Sequence, residues 1–472
     1  MVFYLSENTM PEYAGLQTNF ITWLIVAGIA GCWAMSVSFV PGWGSEGWPS
    51  LLKSLYGFVW LDFGLGILLR FLMLAYNAVE WGNNTSRLVA QSADTVNTTL
   101  ACCGWFWLMV AMAYGLSVRR KGPGPLNLAR EFTVDSAYRA AIPVAVLASA
   151  IFYLADGKNR LPLVLVTPLA LLANLYMVPA VIVWWDHFRR PGAKWQIAGV
   201  HAIALLPALV RGWVSPYREN LAPIVLIPLI AAIFAGRRPA LRKMVPTSLI
   251  CLLVMSSLVS SYRRIKWENV RPEEVLGELR EGGVSGWLAG TSDEPVRRFH
   301  AFDSMLLTVR LVPALQPYSG RNLLLAPFIR GFIPRFVYSG KSGADAGINF
   351  GTRIWAFDNP AARERSGAAI APSMPGDLYD AGGLLYIALG GLIWGSLLGL
   401  VDGWKDHLPE FCAAAVTVLV ATQCAMSVER DFDNSLSTLI QTLLVCVLIA
   451  GVMALGRRRN PEFAARFDFT LE

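Results

Sequence analysis

The sequence predicts an all-α polytopic membrane protein with about eleven transmembrane helices and one large non-cytoplasmic loop. Three observations predict it. The first is composition: mean hydropathy is +0.46, 55% of the 472 residues are hydrophobic and 15% are charged, against about 25% charged in an average soluble domain. The second is the recurrence of apolar runs near 20–40, 54–77, 98–117, 138–155, 161–184, 197–214, 219–235, 245–262, 382–401, 409–428 and 436–455. Each can cross the roughly 30 Å of a bilayer's hydrocarbon. The third is the placement of basic residues within a net charge of +7.

Basic clusters follow the third, fifth, seventh and eleventh runs. They are Arg119-Arg120-Lys121, Arg189-Arg190 with Lys194, Arg237-Arg238 with Arg242-Lys243, and Arg457-Arg458-Arg459. The excess of Lys and Arg on cytoplasmic loops assigns all of them to the cytoplasm. Every cluster follows an odd-numbered run, so the N-terminus is expected outside and the C-terminus inside. The chain divides into helices 1–8 over 1–262, an external loop over 263–381, and helices 9–11 with a cytoplasmic tail over 382–472. Met1 to Thr18 lacks the basic flank and apolar core of a cleavable signal peptide, so the first span is expected to serve as the insertion signal.

Several chemistries find no support. The cysteines lie inside expected spans, without disulfide or zinc spacing. No metal pair of the HExxH type, Walker loop or GxGxxG after a strand occurs, so neither a metal nor a nucleotide cofactor is expected, and no nucleic-acid partner. The external loop has three parts. Val270–Arg280 has helical apolar spacing. Asn322–Tyr338 is apolar but broken by two prolines, and reads as an interfacial or re-entrant piece. Gly340–Pro375 reads as loop.

Ionisable groups in or beside spans are costly and tend to mark function. Arg70 falls inside the apolar stretch GILLRFLML, eight residues after Asp62 in the same span. Arg211 ends the sixth span and Arg218 begins the seventh after a short turn. Arg330 and Arg335 lie in the apolar loop segment. All fall on the face where the positive-inside rule disfavours them. Snorkelling to headgroups accounts for some of them, though least for Arg70. Convergent arginines are also what a phosphate or pyrophosphate requires, because guanidinium offers a fixed fork of donors. Such an anion at this face would most simply be a lipid-linked phosphate. Asp377 and Asp380 are carboxylates near the same surface. Asp377 also suits capping of the ninth helix. His300 is a loop histidine that can serve as a base or stand solvated. His201 is near the cytoplasmic end of its span.

Phe332-Ile333-Pro334-Arg335-Phe336-Val337-Tyr338, followed by Lys341 and Asn349-Phe350-Gly351, resembles the iPR-x-x-(W/Y)-x-x-K segment of Wzy-type oligosaccharide repeat-unit polymerases, which make O-antigen and exopolysaccharide. Gly376-Asp377-Leu378-Tyr379-Asp380-Ala381-Gly382-Gly383 resembles their G-E-L-Y-x-n-F-G lead-in to a late transmembrane helix. This chain departs from it with Asp377 for Glu and Gly382 for the aromatic. Arg218 resembles an arginine that starts a helix after a short external turn.

The resemblance implies a GT-C-like polymerase or ligase architecture in the bacterial inner membrane, with the long loop in the periplasm between helices 8 and 9. It implies transfer of a glycan from undecaprenyl pyrophosphate onto the non-reducing end of another lipid-linked repeat unit, without a cofactor. Partners would be the lipid-linked oligosaccharide and membrane lipids, with a chain-length regulator and a flippase as candidate proteins. In that scheme Arg70, Arg211, Arg218, Arg335 and Lys341 would bind pyrophosphate. Asp377 would be the base or orient the acceptor, with His300 as runner-up. An O-antigen ligase would use the same donor and is expected to depend on His300. A secondary transporter or flippase would instead show mid-span charges, inverted repeats and matched broken helices.

Overall fold

The computed structural model describes residues 18–40, 53–60, 66–75, 92–119, 134–156, 162–190, 198–214, 218–236, 301–332, 372–405, 410–427 and 431–444, with isolated positions between them. Among these residues the regular structure is helical and no strand occurs. The helices are α1 (Phe20–Ser36), α2 (Leu55–Val59), α3 (Gly66–Ala75), α4 (Ala93–Val118) and α5 (Val134–Asp156). They continue with α6 (Leu163–Asn174), α7 (Met177–Arg189), α8 (Ala198–Ala204), α9 (Leu206–Val214) and α10 (Arg218–Phe234). The last are α11 (Ala301–Leu311), α12 (Ala326–Phe332), α13 (Met374–Lys405), α14 (Glu410–Ser427) and α15 (432–444).

Among the described residues four helices are long and apolar enough to cross a membrane: Phe20–Phe39, Ala93–Val118, Val134–Ala155 and Met374–Lys405. The chain is thus a helical, membrane-embedded protein. The other expected spans are shorter or divided. The run at 161–184 is two helices, α6 and α7, separated at Leu175 and Tyr176. Pro179 explains the break, since its ring clashes with the carbonyl four residues back, that of Leu175. The run at 197–214 divides at Leu205 for the same reason, with Pro207 acting on Ile203. The run at 54–77 holds α2 and α3, with 61–65 outside the described residues. Of 245–262 only isolated positions are described.

Local sequence accounts for several helix starts. Asn19 and Thr22 form a reciprocal capping box on α1. Ser54 accepts from Gly57 N at 3.0 Å to start α2, and Ser92 accepts from Thr95 N at α4. Within the expected loop, α11 is not a surface element. Phe302, Met305, Leu306, Leu307 and Leu311 are buried, and the helix packs on α13, α4 and α3. By contrast α12 presents Phe332, together with Leu325 and Ile329, as an exposed apolar stripe at i, i+4 and i+7. That pattern suits a helix at a membrane surface.

The principal contact is between α13 and α4. Gly391, Gly395 and Gly399 are spaced four apart, so they lie along one side of α13. A Cβ at Gly391 would lie 2.9 Å from Phe106 O and one at Gly399 2.7 Å from Tyr114 O, while one at Gly395 would overlap Val110 O. Small residues here let two helix backbones approach, which replaces the hydrophobic drive that lipid removes. Gly395→Ala is therefore expected to destabilise the protein by about 1–3 kcal/mol through overpacking, read as a lowered thermal midpoint in detergent. Gly28→Ala is the comparison, since a Cβ there meets nothing within 4 Å; it should not lower the midpoint.

Candidate functional site

The segment resembling the polymerase lead-in forms the first part of α13. Ser373 starts it, its side chain accepting from Gly376 N at 3.3 Å. The helix then breaks at Gly382 and Gly383. Gly383 adopts φ 69° and ψ −151°, a left-handed conformation open to glycine and strained for other residues. A Cβ there would also lie 2.9 Å from the Tyr318 hydroxyl oxygen. The break frees carbonyls, and the neighbouring loop uses them: Ser319 N donates to Asp380 O at 2.7 Å, and Gly320 N to Ala381 O at 3.2 Å. A short helical piece, 374–381, is thereby locked to the loop 317–321.

That lock creates a charged cluster. Asp377 is fully buried. Its Oδ1 accepts a short hydrogen bond from Arg321 Nη2. Its Oδ2 accepts from Phe432 N at 3.0 Å. Phe432 is the first residue of α15, so Asp377 caps a helix, but α15 rather than its own. Asp380, also buried, lies 3.6 Å from Arg321 Nη2 and 3.1 Å from Arg353 Nη2. Arg353 also donates to Pro317 O. Asp431 accepts from Asn434 N at 2.7 Å, the second cap on α15. Burial opposes the charge on Arg321. The Asp377 carboxylate, with Asp380 and Asp431 beyond it, nonetheless holds the guanidinium above its ordinary pKa. The side chains of Arg321 and Arg353 are 28% and 25% exposed, and the carboxylates 0% and 5%. The cluster therefore shows guanidinium outward and carboxylate inward.

A second buried pair lies close by. Arg70 donates from Nη2 to Asp303 Oδ2 at 2.7 Å and from Nε to Asp303 Oδ1 at 3.2 Å. This forked pairing is 4% and 1% exposed. Asp303 is on α11, two residues before Met305, whose Cα lies 3.7 Å from the position a Cβ on Gly376 would take. Arg70 is thus a neighbour of the Asp377 segment, and its guanidinium is engaged by a carboxylate.

The other sequence candidates fall differently. Arg211 donates to Asn174 Oδ1 at 3.1 Å and lies over the Phe152 ring at 4.9 Å. These contacts are with α6 and α5, and among the described residues neither joins it to Arg70 or Asp377. Arg218 is the first residue of α10; its side chain, with Asp62, His300, Arg335 and Lys341, lies outside the described residues. His201 is buried, with Nε2 at 3.0 Å from Val183 O. Sequence reasoning did not single out Arg321 or Arg353. Their signal was position: Arg321 directly precedes the apolar loop segment, and Arg353 follows Gly351 of the loop motif by two residues. Among the described residues no group of three or more His, Cys, Asp or Glu side chains could hold a metal ion.

No family model matches the chain, and no curated protein or solved structure is significantly similar to it.

Removing one member of a buried ion pair leaves the other uncompensated, at a cost of about 3–5 kcal/mol. Asp377→Ala would also uncap α15. It leaves a guanidinium that reaches solvent, whereas Arg321→Ala leaves a fully buried carboxylate without its cation, so both are expected to lower the thermal midpoint. Asp377→Asn, which keeps an acceptor for Phe432 N, should fall between wild type and Asp377→Ala. Equal midpoints for Asp377→Ala and wild type would refute the pairing.

Proposed function

We propose that the chain is a polysaccharide polymerase of the bacterial inner membrane, with about eleven spans, a periplasmic N-terminus and a cytoplasmic C-terminus. It transfers a glycan from undecaprenyl pyrophosphate to the non-reducing end of another lipid-linked repeat unit. One observation carries this reading. The segment Gly376–Gly383, which resembles the polymerase motif, holds two partly exposed guanidiniums on buried carboxylates.

The chemistry asks for little beyond charge and position. The acceptor hydroxyl oxygen bonds to the anomeric carbon as the bond from that carbon to the pyrophosphate oxygen breaks. The leaving pyrophosphate takes the electron pair, and the hydroxyl proton goes to a base. Donors already in position stabilise the developing charge without reorganisation. Arg321 and Arg353 supply outward-facing N–H groups here. Each already answers a carboxylate, so a pyrophosphate needs further cations. Arg335 and Lys341, with Arg218, are the candidates to bring them. Both oxygens of Asp377 have donors, which suits a positioning residue that fixes Arg321. Arg70, paired with Asp303, supports the same segment from behind. His300 is then the candidate base.

Full-length protein in nanodiscs, given a synthetic polyprenyl-pyrophosphate oligosaccharide, should yield a ladder of polymer lengths. Arg321→Ala and Arg335→Ala, shown to be inserted and stable, should slow it by on the order of 10²–10³. Full-length polymer from Arg335→Ala would remove that residue from the pyrophosphate site. Transfer of a single glycan to another acceptor, with no ladder, would favour a ligase. No turnover of any lipid-linked donor would overturn the enzymatic reading.

A further inference from the structure

The two outward guanidiniums of the charged cluster are held unequally. Arg321 is fastened twice. Its Nη2 makes a short hydrogen bond to Asp377 Oδ1, and its Nε donates to Ser319 Oγ at 3.4 Å. Asp377 is fully buried and caps α15 through Phe432 N. Drawing Arg321 away would leave that carboxylate bare, which is strongly unfavourable.

Arg353 is held differently. Its Nη2 makes a short hydrogen bond to Pro317 O. The same nitrogen lies 3.1 Å from Asp380 Oδ1, yet among the described residues that oxygen accepts no hydrogen bond. The distance suits a hydrogen bond, so it is the direction of the N–H, spent on Pro317, that fails. The other oxygen of Asp380 lies 3.6 Å from Arg321 Nη2, beyond hydrogen-bonding distance. Asp380 is 5% exposed. It thus has cations beside it, but its Oδ1 still calls for a donor, since an unmet buried acceptor is costly. Ile354 is fully buried and fixes the chain next to Arg353. A change of partner by Arg353 is therefore a rotation of its side chain, a quarter of which already meets solvent.

We propose that Arg353 is the exchangeable cation of this site: it leaves Asp380 for the donor's pyrophosphate, and the uncovered Asp380 carboxylate then accepts a hydrogen bond from the acceptor hydroxyl. The proposal rests on the polymerase reading for the identity of both substrates. Pyrophosphate carries more charge than a carboxylate and offers oxygens that a guanidinium can fork. A sugar hydroxyl brings the donor that Asp380 Oδ1 lacks, in a charge-assisted bond. Asp380 orients the hydroxyl, and its proton goes to the base. Two consequences follow. Donor binding opens the acceptor position, so the substrates bind in order. Asp380 also competes with the donor for Arg353. A merely structural role for Asp380 predicts the opposite sign, a weaker donor when Asp380 is replaced.

Full-length protein in nanodiscs is titrated with undecaprenyl pyrophosphate, which has the headgroup and no glycan. Asp380→Asn should bind it about fivefold more tightly than wild type, the effect of removing a partly screened competing charge. Arg353→Ala should bind it about fivefold more weakly. The double variant should match Arg353→Ala alone, because the gain from Asp380→Asn passes through Arg353. With a synthetic polyprenyl-pyrophosphate oligosaccharide, Asp380→Asn should polymerise about tenfold more slowly in spite of its tighter donor, through loss of one charge-assisted hydrogen bond. Asp380→Ser, also uncharged, takes the place of Asp380→Asn if that variant does not fold. Unchanged or weaker binding by the folded variant, the same gain in the double variant, or a wild-type rate of polymerisation would each overturn the exchange. The predicted binding pattern with no polymer from wild type would sink the polymerase reading and leave the Arg353 exchange standing. Polymer from wild type without the gain in binding would do the reverse. No binding by wild type would overturn both.

Discussion

A carboxylate taken out of water has to be answered, and the architecture of this protein is organised by how α13 answers its own. Asp377 near one end and Asp402 near the other are both essentially buried. Each reaches a different helix and receives that helix's first backbone N–H: Phe432 N for Asp377, Leu55 N at 2.9 Å for Asp402. Each is also met by a cation, Arg321 in one case and Lys405 at 2.8 Å in the other. Tyr114 of α4 completes the second site, donating to Asp402 at 2.9 Å. Positive helix ends and cations around a buried anion follow from the cost of leaving it bare. The result is that α2, α4 and α15 are docked in defined register on one long helix.

The glycine face of α13 serves the same arrangement. Backbone-to-backbone approach at Gly391, Gly395 and Gly399 brings α4 close enough for Tyr114 to reach Asp402. Neither contact is independent of the other, since a larger residue at Gly399 would meet Tyr114 O directly. Toward the other end, the break at Gly382–Gly383 ends the long rod. The freed carbonyls recruit Ser319 and Gly320, which sets Arg321 beside Asp377. Arg321 is therefore held at the protein surface by a turn two residues before it and by a carboxylate far along the chain.

The legibility of this arrangement varied with the kind of signal. Asp377 stood out because an acidic residue sits in a motif-like stretch before an apolar run, and it is central to the cluster. Its capping role was also legible in kind, since carboxylates suit helix N-termini, but the helix it caps is not its own. Arg70 stood out as a charge inside an apolar run. The reason for its tolerance there, Asp303, lay in a segment read as external loop. Arg321 and Arg353 carried no local anomaly, because arginines in a polar loop are ordinary. The GxxxGxxxG spacing of α13 was present in the sequence as a packing signal that hydropathy alone does not weigh.

The sequence by itself determined that this is a helical membrane protein and where its longest apolar runs lie, but not which prolines break a helix, since Pro179 and Pro207 follow breaks while Pro143, Pro223 and Pro228 lie within helices. Those properties depend on hydropathy and on local backbone sterics, which act over a few residues. Only the tertiary structure decided which charges meet. Arg70 with Asp303, Arg321 with Asp377, and Asp402 with Leu55 N join positions 233, 56 and 347 residues apart. Partners at such separations are selected by the cost of burying charge after the helices pack, and no local pattern encodes that choice.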